Sequence, residues 1–280
     1  MTREANSGGL PAPPRGPIWL RSWADGISAL QRMPAVALTT LALWLVAGTA
    51  CNWFIAKTAS VSSTTCATDW WMQQGIGWTG TFVQILLLTP LLIAVHRYVL
   101  LREVARRYSF RPVGRYLPFA AYASLIAIIF AIFTSPLTVA IFATDGINIW
   151  WAMVFQIMGV VAGLCGCHRM PILFPAIAIE VPGASIGTAM RQCSGHRCRL
   201  VCTLILVSSP MLLMTILAAM LMGLAVEHQV IGEPTGLLTK AAIWDALSGT
   251  TALLFGAIYA AMASRFYQVF TTPRLLRNET

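Results

Sequence analysis

Residues 117–142 read LPFAAYASLIAIIFAIFTSPLTVAIF, an apolar run of 26 residues without a charged side chain. A helix of this length extends about 39 Å and exceeds the hydrocarbon core of a bilayer, which is about 30 Å thick. The run does not alternate between polar and apolar residues, which argues against a strand of a membrane barrel. The stretch therefore predicts a helix that crosses a membrane.

Five further apolar runs of comparable length lie on either side of it. The whole chain is 57% hydrophobic and only 10% charged, whereas soluble domains are about a quarter charged. We therefore predict an all-α integral membrane protein with one six-helix domain over residues 17–270, between a disordered cytoplasmic tail (1–16) and a second cytoplasmic tail (271–280). The predicted spans are approximately 34–56, 77–98, 117–142, 148–168, 200–225 and 241–263.

The distribution of basic residues predicts the orientation of these spans. All 17 arginines fall in the N-terminal segment, the second and fourth connections and the C-terminus, whereas Lys57 and Lys240 lie on the opposite side. Basic residues in short connections mark the cytoplasmic side. We expect a multi-pass membrane protein with both termini in the cytoplasm. The net charge of +9 then suits anionic lipid headgroups rather than nucleic acid.

An arginine-bearing, partly amphipathic segment precedes each odd-numbered span. These segments are residues 17–34, 101–118 and 184–200. We expect short cytoplasmic helices in the membrane interface, with their arginines reaching lipid phosphates. Two explanations fit this pattern. The chain could repeat a unit of one interfacial helix and one helical hairpin, or the segments could be what most multi-pass chains have before a span.

Cysteine and histidine cluster twice near the cytoplasmic side, in CGCHRM (165–170) and CSGHRC (193–198). Thiolates and imidazoles bind zinc or copper, and His96 could join such a site. The spacings are irregular for structural zinc, however, and nearby arginines disfavour a dication. We predict no metal, no cofactor and no catalytic residue. The metal-ligand candidates set aside in this way are Cys165, Cys167, His168, Cys193, His196 and Cys198.

Three other polar features lead to expectations. Glu180 is expected to pair locally with Arg191, and Asp245 is expected to reach the outer interface from the start of the last span. Cys51 and Cys66 are the only cysteines on the predicted oxidising side. A disulfide between them is therefore one of two alternatives, and two free thiols are the other.

Four stretches carry a resemblance: TPLLIAVHRYVLLRE (89–103), RYLPFAAYASLIA (115–127), RMPILFPAIAIE (169–180) and SIGTAMRQCSGHRCRL (185–200). In outline they resemble a broad class of bacterial six-span inner-membrane proteins without an assigned function. That class is similar to the membrane domain fused to some glycerophosphoryl diester phosphodiesterases. The resemblance implies a compact helical membrane domain without catalysis, because the 280 residues contain no phosphodiesterase domain. The clustered cysteines are not part of the pattern.

Three functions fit these observations. The first is a non-enzymatic accessory or scaffold subunit that packs against other membrane proteins and lipids. The second is a transporter or flippase for an amphiphilic or anionic small molecule, because Pro90, Pro136 and Pro210 would kink their helices and transporters use broken helices at their binding sites. The third is a metal- or redox-linked membrane protein that uses the clustered cysteines and histidines.

Overall fold

The computed structural model describes residues 17–61, 67–110, 114–143, 158, 172–192, 198–210, 213 and 236–277. Within these ranges the secondary structure is helical and contains no strand, as predicted. The helices are α1 (Ile18–Arg32), α2 (Pro34–Val61), α3 (Ala67–Leu101), α4 (Tyr116–Ala143), α5 (Leu173–Ala178), α6 (Ile186–Gln192), α7 (Cys198–Pro210) and α8 (Gly236–Arg277).

Three helices are long and apolar enough to cross a membrane: Pro34–Ile55 in α2, Gly75–Leu101 in α3 and Asp245–Thr271 in α8. They coincide with the first, second and sixth predicted spans. The helix α4 covers the predicted span 117–142. The fifth predicted span begins as α7, and most of residues 211–225 and nearly all of residues 148–168 lie outside the described residues. Six spans therefore stay a prediction.

The helices α1 and α2 together run antiparallel to α8. Asp245 contacts Asn52 near the end of α2, Gly249 contacts Trp44, and Arg265 contacts Asp25 in α1. The chain bends between α1 and α2 because Pro34 has no N–H to continue the helix. At 42 residues, α8 is about 63 Å long, which is twice the thickness of a hydrocarbon core. We call the end that carries Arg97, Arg102 and Arg265 the inner end, and the opposite end the outer end.

The best-packed part of the molecule surrounds the inner half of α3. Its apolar side chains contact α1, the start of α4, α5 and the second half of α8, which is buried almost without interruption from 257 to 270. Helices that are apolar on all sides occur where protein surrounds them. The largest side chains with less than 2% exposure there include Met33, Leu91, Phe119, Leu173 and Phe266.

The segments before the odd-numbered spans agree in part with the expectation of short helices, and their place in a membrane interface stays a prediction. The segment 17–34 forms a helix as expected, and α1 packs against α8 with small residues on its buried face: Ser22, Gly26 and Ala29. Within 101–118, residues 102–110 are not helical, so that prediction is wrong. Within 184–200, residues 186–192 are helical as expected.

The predicted tails had different outcomes. Residues 1–16 lie outside the described residues. The predicted cytoplasmic tail 271–280 is helical as far as Arg277, and its place relative to a membrane stays a prediction.

Candidate functional site

An ion pair fastens α1 to α8 at the inner end. The Arg265 Nε donates to the Asp25 carboxylate at 2.7 Å, and the two side chains are 10% and 16% exposed. Arg265 also donates to the amide oxygen of Gln268 at 3.1 Å. A charge so far removed from water needs a partner to offset its desolvation. Neither residue stood out in the sequence, although Asp25 lies next to Gly26 on the buried face of α1.

His96 lies beside this ion pair but is part of the packed interior. Its Nδ1 is 2.8 Å from the Ser264 hydroxyl, and its ring contacts the edge of Phe119. No group of three metal-ligating side chains meets anywhere in the described ranges, so His96 joins no such cluster there. Cys198 is exposed. The other five candidates, Cys165, Cys167, His168, Cys193 and His196, lie outside the described residues.

Two arginines converge on the carboxyl end of α5. Arg97 and Arg115 each donate to the carbonyl oxygen of Ala178, at 3.3 and 3.4 Å. The last carbonyls of a helix lack partners within it and attract cations. Glu103 pairs with Arg97, and Glu180 pairs with Arg115 at 3.2 Å. The structure thus gives Glu180 the partner Arg115, whereas Arg191 was expected.

Two more arginines bracket a tyrosine ring at the inner end of α3. The guanidinium carbons of Arg32 and Arg102 lie 5.8 and 5.9 Å from the centroid of Tyr98. The Tyr98 hydroxyl is held 3.0 Å from the hydroxyl of Ser28 in α1. Both arginines are exposed. Cation–π contacts of this kind hold a guanidinium in place while leaving its N–H groups available for a ligand.

Pro90 interrupts the hydrogen bonding of α3, and two tyrosines compensate. Pro90 has no N–H, so the carbonyl of Leu86 loses its partner within the helix. The Tyr116 hydroxyl donates to that carbonyl at 2.5 Å, and the Tyr108 hydroxyl donates to the carbonyl of Leu87 at 2.9 Å. Burial raises the pKa of Tyr108, so its hydroxyl stays protonated and remains a donor. The proline predicted the broken bond, but no sequence signal predicted its partners.

At the outer end, a carboxylate is buried between α2 and α8. Asp245 is 6% exposed and accepts a hydrogen bond from Asn52 Nδ2 at 2.8 Å. Its carboxylate packs against Gly48, where a Cβ would come within 2.8 Å of it. The structure thus pairs Asp245 with Asn52 between the two helices, and the expectation that it lies at the outer interface stays a prediction. Twenty residues of α8 separate it from Arg265, a rise of about 30 Å, which equals one hydrocarbon thickness.

Cys51 lies beside this pair. It is a free thiol, and its Sγ donates to the carbonyl of Ile76 at 3.4 Å. A disulfide to Cys66 is therefore not formed in the structure, and Cys66 itself lies outside the described residues. The sulfur also fills the space beside Gly80, where a Cβ would approach it to 2.7 Å. The thiol thus contributes to the packing of α2 against α3.

Comparisons of the chain with protein-family models, with curated proteins and with solved structures found no match. The resemblance to six-span inner-membrane proteins stays a prediction. Function therefore has to be argued from the geometry alone: a braced, arginine-bearing inner end and an outer end with one buried acid.

Proposed function

We propose that the chain is a non-enzymatic, multi-pass accessory or scaffold subunit of a bacterial inner-membrane complex, with six spans and both termini in the cytoplasm. The observation that carries the proposal is the outward face of α2. Leu38 and Val46 on this face are 66% and 68% exposed, whereas Val36 on the opposite face is 1% exposed. Among the described residues, α3 and α8 occupy the inward face, and we propose that the outward face contacts neighbouring membrane proteins.

The braced inner end supports the same proposal. Three ion pairs and two arginine-to-carbonyl contacts join α1, α3, α4 and α8 with the turn after α5. Of these, the Asp25–Arg265 pair is buried, and a buried charge that is satisfied within the protein holds its elements in one arrangement. A subunit of this kind presents a fixed surface for assembly without moving parts of its own.

Site-specific photo-crosslinking tests the proposal. A photoreactive amino acid is placed at Leu38 or Val46, and at Val36 as the matched control on the same helix, in the protein expressed from its chromosomal locus. Position 38 or 46 should give covalent products that are heavier by a second protein, and position 36 should give none. Products that contain only lipid, from both outward positions, would contradict the assembly function.

A second candidate function is transport of an amphiphilic or anionic small molecule, and Asp245 is the observation that favours it. Ionisable residues buried between membrane helices often belong to substrate or proton pathways. The test compares lipid and solute fluxes in a deletion strain that carries either the wild-type protein or Asp245→Asn. Fluxes that depend on the carboxylate favour transport. Fluxes that are unchanged by both the deletion and the substitution exclude a transport function.

A further inference from the structure

Seven of the described arginines at the inner end form two groups. Arg97, Arg115 and Arg265 are paired with Glu103, Glu180 and Asp25. The second group is exposed and, within the described ranges, forms no ion pair; it consists of Arg32, Arg102, Arg106 and Arg107. The first group supports the fold, so the second group is available to bind an anion.

The second group is held in place rather than spread over a mobile surface. Arg32 and Arg102 both contact Tyr98, a residue with only 4% exposure whose hydroxyl lies 3.0 Å from that of Ser28. The segment that carries Arg106 and Arg107 is tied back to α3 by the hydrogen bond from Tyr108 to the carbonyl of Leu87. Preorganised guanidinium groups bind phosphate well because less side-chain freedom is lost on binding.

Apolar side chains flank the same arginines. Leu101, Val104 and Phe110 are between 42% and 48% exposed and alternate with the arginines along the segment. A soluble phosphate compound offers nothing to cover these side chains. A phospholipid offers both a phosphate for the arginines and acyl chains for the apolar side chains, which is how amphipathic segments bind membranes.

We propose that Arg32, Arg102, Arg106 and Arg107, with Tyr98 as their support, form a binding site for the phosphate group of an anionic phospholipid. The proposal rests on the proposed placement of the inner end at the cytoplasmic leaflet. The lipid site does not depend on a protein partner. Either proposal, the lipid site or the assembly function, can therefore fail while the other stands.

Native mass spectrometry of the full chain tests the site. The protein is released from nanodiscs that contain phosphatidylglycerol and phosphatidylcholine in equal amounts, and retained lipids are counted. We expect wild type to retain phosphatidylglycerol preferentially. The double variant Arg32→Gln with Arg102→Gln should bind it at least about ten-fold more weakly, because a charge-assisted hydrogen bond from a guanidinium to the phosphate contributes about a factor of ten in affinity.

Two controls separate a defined site from a generally basic surface. The double variant Arg191→Gln with Arg199→Gln removes the same charge from other exposed positions of the inner end, and we expect less than a three-fold loss. Tyr98→Phe keeps the ring and should retain binding, whereas Tyr98→Leu should weaken it. Equal losses in both arginine double variants, or equal retention of the two lipids by wild type, would overturn the proposal.

Competition identifies the ligand class. Inorganic phosphate at millimolar concentration should not displace phosphatidylglycerol, because it cannot cover the apolar side chains. Complete displacement by phosphate would assign the site to soluble phosphate compounds and overturn the lipid proposal. Unchanged lipid retention in the Arg32→Gln, Arg102→Gln variant together with the loss of a protein partner would also overturn it, and would assign the arginines to an acidic protein surface.

Discussion

The inner and outer halves of the described helices are held together by different forces. At the inner end, α1, the connection after α3, the start of α4 and α5 enclose α3 and α8, and ion pairs join them. At the outer end, the described contacts of α2 with α3 and α8 are close helix approaches at Gly48, Gly80 and Gly249, with one polar pair. Among the described residues, the larger buried core and the three ion pairs lie at the inner end.

The physical reason lies in the solvent of each half. Helices in lipid gain little from burying apolar surface, because lipid tails are as apolar as leucine, so small residues and close packing must suffice. In the proposed placement, the residues of α8 after Arg265, among them the buried Phe266 and Phe270, lie beyond one hydrocarbon thickness, where burial against water stabilises the fold at about 25 cal/mol per Å². Substitutions at the two ends should therefore differ in their effect on the free energy of unfolding.

The largest effect is expected for Asp25→Asn, which leaves Arg265 without its carboxylate. Removing one partner of a buried ion pair costs about 3 kcal/mol or more. Glu103→Gln is the matched control, because its ion pair is mostly exposed and should cost less than about 1 kcal/mol. Unfolding in detergent micelles titrated with sodium dodecyl sulfate measures both. Equal losses would mean that the Asp25–Arg265 pair does not brace the inner end.

A smaller effect is expected for Gly26→Ala. A Cβ at Gly26 would lie 2.9 Å from the Cα of Ile258, and a backbone atom cannot move aside cheaply. Overpacking of this kind costs about 2 kcal/mol. Gly75→Ala is the control, because its Cβ meets nothing within 4 Å and alanine favours a helix by about 1 kcal/mol. Thermal unfolding followed by circular dichroism should separate the variants. Identical midpoints would show that Gly26 of α1 does not pack against Ile258 of α8.

Tyr116→Phe should cost about 1 kcal/mol, because it leaves the carbonyl of Leu86 without a donor beside Pro90. The control is Tyr122→Phe on the same helix, whose hydroxyl makes no hydrogen bond among the described residues, and we expect no measurable change. Hydrogen exchange of α3 around Leu86 and Leu87 should also increase in Tyr116→Phe. Unchanged exchange there would indicate that the tyrosine does not compensate for the proline.

The smallest effect is expected for Asp245→Asn at the outer end. Asparagine keeps an acceptor for Asn52, and a hydrogen bond between membrane helices contributes only about 0.6 kcal/mol on average. The same titration with sodium dodecyl sulfate measures it. A loss as large as that of Asp25→Asn would remove the contrast between the two ends. A small loss also makes Asp245→Asn a clean variant for the flux experiment, because changed flux could not be ascribed to unfolding.

Periodicity and length predicted the helical fold and the positions of α2, α3, α4 and α8, because long apolar runs leave the backbone no other way to satisfy its hydrogen bonds in lipid. The sequence did not predict what surrounds them. Residues 102–110 have the arginines of an interfacial helix, yet they are not helical, and Tyr108 donates a hydrogen bond to the carbonyl of Leu87 in α3 instead. Asp25 and Arg265 are 240 positions apart in the chain, and no local pattern connects them.

The most direct test is to determine on which side of the membrane the inner end lies. Single cysteines are placed at Arg107 and at Lys57, in a variant whose seven native cysteines are serine, and intact cells are treated with a membrane-impermeant maleimide. We expect position 57 to react in intact cells and position 107 to react only after the inner membrane is permeabilised. Reaction of position 107 in intact cells would place the arginines outside the cytoplasm and contradict the cytoplasmic location of the inner end.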